Sequence, residues 1–308
     1  MLESIFAWET LTSALRMTTP LAFAALGGVY SERSGVVNIA LEGIMLIGAF
    51  FAAVGTYFFG SPLVGILFSI LAGMGLALIH AVVSIKFKVN QIVSGTALNM
   101  LAAGGTTFLS RLIFKAAGSS PHIKGFEPWS IPILSDIPGI GLVFKSLSPL
   151  IVFMFIIVIL SQYILYNTVF GLRLRSVGEN PQAADTLGVN VYKYRYIGVL
   201  ISGALGGIGG AFLSLEHARV FVENMTGGRG FIALAAMIFG KWNPIGSFGA
   251  CFLFGIAEAV RMRLEGIGIP TQFIQMIPYI LTMLVLAGAV GKAMSPAADG
   301  IPYEKEEL

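Results

Sequence analysis

Apolar residues run in long blocks along this chain, separated by short polar stretches. A block of roughly 20 apolar residues can cross a bilayer as a helix, because a helix satisfies its own backbone groups where no water is present. Nine such blocks are read at residues 11–30, 36–58, 62–85, 90–110, 149–167, 197–215, 228–241, 245–264 and 270–292. The predicted fold is an all-α polytopic membrane protein with about nine transmembrane helices, 8–10 in range, and residues 1–308 read as one transmembrane domain. The seventh block is short for a span and opens on Gly227-Gly228-Arg229-Gly230, which predicts a broken or re-entrant helix.

One polar island stands out, at residues 171–196. Arg173 and Arg175 open it, and Lys193 and Arg195 close it. Asn180 is placed to cap a short helix whose first position is Pro181, and Gly188 to end that helix in the left-handed conformation. A membrane protein with a compact basic helix–turn–helix outside the bilayer has two uses for it. It is a docking element for a partner, or a solvated loop whose positive charge sets the topology. A weak internal echo is also visible: 35–41 and 230–234 both start at a glycine and run into an apolar helix. Duplicated halves with broken helices along the substrate path are common in transporters.

Composition narrows the class. Of the 308 residues 56% are hydrophobic and 11% charged, against about 25% charged in soluble domains. A net charge of +3 without a basic run or an aromatic platform excludes nucleic acid as a partner. Cys251 is the one cysteine, so no disulfide framework exists within the chain. The N-terminal stretch lacks the three-part pattern of a cleaved signal, so the first spans are expected to act as uncleaved insertion signals.

Polar side chains inside apolar blocks are the candidates for a substrate path, because burying them in lipid is costly. Asn38 and Glu42 lie four residues apart on one helix face. Either they line a polar path or fix a broken helix there, or Asn38 caps the helix and Glu42 pairs with Arg33. Gln91, Ser94 and Asn99 follow in the fourth block, and Gln272 and Gln275 in the last. Amide side chains match the donors and acceptors of a polar substrate, yet small polar residues also tie helices together. Glu258 and Arg261 are spaced to pair on a helix surface. Gly203, Gly206, Gly207, Gly209 and Gly210 form small-xxx-small patterns that let helices approach closely. His80, His122 and His217 are scattered, which argues against a metal site. A phosphate-binding loop and a nucleophile-and-base pattern are absent, so no catalytic residue is assigned and any energy source lies on another polypeptide.

The island GLRLRSVGENPQAADTLGVNV resembles the cytoplasmic coupling segment of ABC-transporter permeases that import branched-chain amino acids, sugars and nucleosides. SERSGVVNIALEGIMLIGAF (31–50), NQIVSGTALNML (90–101) and GGRGFIALAAMIFGKWNPIGSFGA (227–250) resemble the nucleoside-importing branch. The likeness covers nearly the whole chain. It implies a transport subunit, not an enzyme, in the bacterial cytoplasmic membrane. It implies an ATPase partner that holds ATP and Mg, with no cofactor in this chain. A second permease, another chain or a second copy, and a substrate-binding lipoprotein complete the implied assembly. The coupling residues it implies are Gly178, Glu179, Asn180, Pro181, Ala183, Ala184, Leu187 and Gly188. Gly178 is expected to hold a backbone geometry strained for other residues, and Ala184 to give a partner close approach. With 171–196 inside, alternation puts Arg33, Lys86, Lys88, Lys241 and a tail at 293–308 inside. The segment 111–148, rich in Pro and Gly, is then an external loop.

Overall fold

The structure is a computed structural model that describes residues 8–116, 118–127, 147–264 and 294–305, with the single positions 273, 276, 280 and 283. The predicted last span, with Gln272 and Gln275, lies outside the described residues. So does most of the second half of the predicted external loop.

Ten α-helices make up the described chain, with no strand among the described residues and an isolated bridge between Ser119 and Val222. They are α1 (Trp8–Arg33), α2 (Leu41–Phe59), α3 (Pro62–Ala81) and α4 (Gln91–Phe114), then α5 (Pro149–Asn167), α6 (Val169–Glu179) and α7 (Pro181–Thr186), then α8 (Val191–Phe212), α9 (Arg229–Phe239) and α10 (Pro244–Leu264). Both α3 and α8 run on through a π-helical turn, to Lys86 and His217. Asn90, Ser148, Thr168, Asn180 and Asn190 accept a backbone N–H from the first turn of α4, α5, α6, α7 and α8. Pro62, Pro149, Pro181 and Pro244 occupy the first helical position of α3, α5, α7 and α10, where a missing N–H costs nothing.

Six of these helices are long and apolar enough to cross a membrane: α2, α3 with its π turn, α4, α5, α8 with its π turn, and α10. The expected count of about nine is not reached among the described residues, where two of the expected blocks fall short. The helix α9 has 11 residues, too few for a bilayer. The helix α1 is 26 residues long but carries Glu9, Arg16 and several threonines, and falls short in hydropathy. Inside the bundle its Thr18 and Thr19 hydroxyls donate to the Ala14 and Leu15 carbonyls, both at 2.7 Å, so the polarity is absorbed within the helix.

The centre of the bundle is α8, 78% buried over its most apolar window, with α1, α2 and α3 around it. A side chain at Gly203 would run into the Gly73 carbonyl, one at Gly207 into Ser69, and one at Gly210 into Met45. The glycine pattern is the condition for these helices to touch backbone to backbone. Around this centre, α4 and α5 leave large apolar side chains such as Met100, Phe108, Ile156 and Ile159 exposed, the surface lipid would cover.

Arg33, Lys88, Lys241 and residues 294–305 all gather at the end of the bundle that carries α7. Arg33 donates to the carbonyls of Lys241 and Trp242, and Lys88 pairs with Glu304 at 2.6 Å. At the opposite end, residues 118–123 lie against 218–223, with the Ser120 and Ile123 amides donating to the Phe221 and Arg219 carbonyls.

Candidate functional site

The α6–α7 unit is a platform at one end of the bundle. Thr168 starts α6 by accepting the Gly171 N–H at 3.2 Å. Asn180 then turns the chain in an extended conformation (φ −147°, ψ 92°), and its Oδ1 accepts the Ala183 N–H at 3.0 Å to start α7. Gly188 ends α7 at φ +79°, where its N–H reaches the Asp185 carbonyl and that of Val189 reaches Ala184. A left-handed residue is what frees those last carbonyls to be satisfied.

The two faces of α7 differ. Pro181 and Ala184 are buried, and Ala184 packs with Val177, Val191 and Tyr303. Glu179, Asn180, Gln182, Ala183, Thr186, Leu187 and Gly188 are exposed, Leu187 at 83%. Two expectations change. Ala184 faces its own chain, so its small size serves the bed under α7. Gly178 has ordinary helical backbone, and a side chain there would strike the Arg33 carbonyl. Its glycine lets α6 lie directly on the end of α1.

A second polar region surrounds the break between α1 and α2. Residues 34–40 are not helical, yet Val36, Asn38, Ala40 and Leu41 are fully buried, so each backbone group needs a partner. Val36 and Ser31 bond each other through side chain and backbone. Gln91 Oε1 accepts the Val37 N–H at 2.7 Å, and His80 Nε2 donates to the Val37 carbonyl at 2.9 Å. A carbonyl only accepts, so His80 Nδ1 is left to accept from the Ser94 hydroxyl at 3.0 Å. The Glu32 carboxylate accepts the Asn38 N–H and, at 2.5 Å, the Trp242 indole N–H. Asn99 Nδ2 donates to the Ile39 carbonyl at 3.0 Å, and its Oδ1 accepts the Gly43 N–H at 2.7 Å. Asn38 Nδ2 donates to the Ser202 hydroxyl at 2.8 Å, which ties the break to α8.

Glu42 sits where two breaks meet. Its Oε1 accepts the Gly228 N–H at 2.8 Å and its Oε2 the Gly230 N–H at 2.6 Å. It thus satisfies two orphan amides at the start of α9 and places a negative charge at the positive end of that helix. A side chain at Gly230 would collide with the Glu42 backbone. The suggested capping by Asn38 and pairing of Glu42 with Arg33 are not what forms. Arg33 bonds Tyr166 and the 241–242 backbone instead.

Asn38, Glu42, Gln91, Ser94 and Asn99 are therefore gathered around these breaks: Glu42, Gln91 and Asn99 bond backbone there, Ser94 bonds His80, and Asn38 bonds Ser202. Among the described residues no group of His, Cys, Asp and Glu could hold a metal. Glu32, Trp242 and Asp299 escaped the sequence reading, and Arg195 was read only as a basic residue closing the island, because their contacts join positions up to hundreds of residues apart and no local spacing marks them.

Residues 10–286 match the family model described as branched-chain amino acid transport system / permease component. The chain belongs to that family. The permease is 46% identical over 304 residues to the guanosine ABC transporter permease protein NupQ of Bacillus subtilis, covering 95% of each chain. It is 47% identical over 308 residues to the nucleoside ABC transporter permease protein NupC of Lactococcus lactis, covering 96% of this chain and 97% of the relative. It is 34% identical over 309 residues to a putative glucose ABC transporter permease protein, TsgC13, of Haloferax volcanii, covering 92% of each. With six apolar helices, the permease is a multi-pass membrane protein, a transport subunit and not an enzyme.

Proposed function

We propose that the permease carries nucleosides across the bacterial cytoplasmic membrane as the membrane-spanning subunit of an ATP-driven importer working by alternating access. The observation that carries this is near-complete alignment, at 46% and 47% identity, with permeases named for guanosine and nucleoside transport. ATP and Mg2+ are held by a partner ATPase. A substrate-binding lipoprotein delivers the nucleoside on the outer side, and a second permease completes the path.

In this reading the α7 end of the bundle, with the chain's C-terminus, faces the cytoplasm, and the exposed face of α7 meets the ATPase. Glu179, Asn180, Ala183, Leu187 and Gly188 supply the contact. Gly178, Pro181 and Ala184 hold the platform in place. Closure of the ATPase displaces α7 and α6 together. Gly178 passes the displacement to the end of α1 and to Gly35, where the broken segment starts. From there Glu42 links it to α9. Coupling through packed elements of this kind requires two discrete arrangements of the same contacts. Asn38, Gln91, Ser94 and Asn99 shape the path by fixing its backbone, and Gln272 and Gln275 remain candidates for direct contact with substrate.

Uptake of labelled guanosine, other nucleosides and glucose in a strain lacking the chain tests the substrate. Loss of nucleoside uptake alone, restored by the gene, is expected. Loss of sugar uptake with nucleoside uptake intact would overturn it.

A further inference from the structure

Residues 294–305 return to the α7 end and touch nearly every element there. The Ala298 N–H donates to the Gly178 carbonyl at 2.9 Å. Arg195, on α8 and almost fully buried, donates from Nη1 to the Ile301 carbonyl at 2.9 Å. The Asp299 carboxyl lies between Arg195 and Glu32, within hydrogen-bonding reach of Glu32 at the end of α1. Gly300, at φ +78°, turns the chain beside Val37 of the broken segment. Tyr303 is 4% exposed; its ring lies among Val177, Ala184 and Val191, 5.4 Å from that of Tyr192. Glu304 and Lys305 then reach outward to Lys88 and Asp185.

A passive tail would be expected to lie over the surface. This one instead occupies the space between α7 and the bundle. Tyr303 fills the floor under Ala184, so the height and tilt of α7 depend on it. Asp299, four residues earlier, contacts Glu32 at the end of α1 and lies beside Arg195 of α8. The same short segment therefore touches the docking platform and the helix that platform must move.

We propose that residues 298–305 are a positioning element of the coupling machinery. Tyr303 sets the pose of α7, and Asp299 with Ala298 ties α6 and α7 to α1. Motion of the platform then reaches the broken segment instead of being lost in local tilting. The proposal rests on the reading of α7 as the ATPase contact.

The test uses the whole importer in proteoliposomes, with the ATPase and the binding protein, and labelled guanosine. Tyr303→Ala is expected to keep the ATPase subunit bound and hydrolysing. Guanosine taken up per ATP should fall by about tenfold, with the KM for uptake unchanged. Tyr303→Phe, which keeps the ring, should restore coupling. Tyr303→Leu fills the space without the ring and serves if the alanine variant does not accumulate; a reduced ratio is expected there too. A wild-type uptake-to-ATP ratio in the alanine or leucine variant would overturn the proposal. Leu187→Glu on the exposed face separates the two claims. If it leaves the ATPase bound, the docking reading fails. If it releases the ATPase while Tyr303→Ala stays fully coupled, only the role of the tail fails.

Discussion

Two regions of this permease are rich in polar residues, and they use them in opposite ways. Around the break at 34–40, Glu32, His80, Gln91 and Asn99 direct their hydrogen bonds at the chain's own buried backbone. On α7 Pro181 and Ala184 point inward, while Gln182, Ala183, Thr186 and the following Leu187 face out. The first region turns mostly inward and holds a buried, non-helical stretch of backbone in place. The second leaves an apolar side chain bare on a well-braced platform. In this chain most of the polarity near the break serves an internal construction, and the exposed leucine beside a capped short helix is what the proposed docking reading rests on.

The largest effect is expected at Glu42, the link between the two breaks. Glu42→Ala removes two charge-assisted bonds, one to a buried and one to a half-buried amide, at a cost of about 3 kcal/mol. Uptake should fall by about two orders of magnitude and the thermal midpoint of the purified permease should drop. Glu42→Gln keeps an acceptor and should retain part of both. If the alanine variant transports and melts like wild type, the two breaks are not held together by this carboxylate.

A smaller effect is expected from pH at the tail. Burial raises the Asp299 carboxyl to about 7, against the opposing pull of its bond to Glu32 and the Arg195 charge. A raised carboxyl favours the folded tail fully below its ordinary value of 3.8, and that contribution is lost as pH rises through about 7. Protease protection of residues 294–305 should therefore weaken from pH 6 to pH 8 (a window of about one unit either side of the midpoint). Glu32, in contact with Asp299 and raised by burial to about 8, titrates with it, so Asp299→Asn should lessen that dependence and Asp299→Asn combined with Glu32→Gln should flatten it. An undiminished loss in the double variant would show that this pair of carboxyls is not what titrates.

Much of the architecture was legible in the chain. Six apolar blocks became spans, and Asn180, Pro181 and Gly188 mark the start and stop of α7 by local rules that need no tertiary context. The shortness of α9 was visible in its glycine-marked start. Three matters were not legible. A six-residue helix has too few turns for periodicity to reveal its buried side, so Ala184 was assigned outward. Gly178 was assigned a special backbone angle because a glycine needed by a neighbour's carbonyl looks the same in sequence. The bonds of Glu42 to residues 228 and 230 depend on how two distant breaks align in depth, which spacing along the chain does not encode.

The two faces of α7 supply the most direct test of the central claim. Leu187→Glu changes a side chain that is 83% exposed and touches little of its own chain. Ala184→Glu buries a charge against Val177, Val191 and Tyr303 and should lift the whole helix. The decisive measurement is the amount of ATPase that co-purifies with the Leu187→Glu permease, correctly inserted and with an unchanged melting midpoint. The account predicts that the ATPase is lost and uptake with it. An ATPase retained at wild-type stoichiometry, with normal uptake, would contradict the assignment of α7 as the coupling contact.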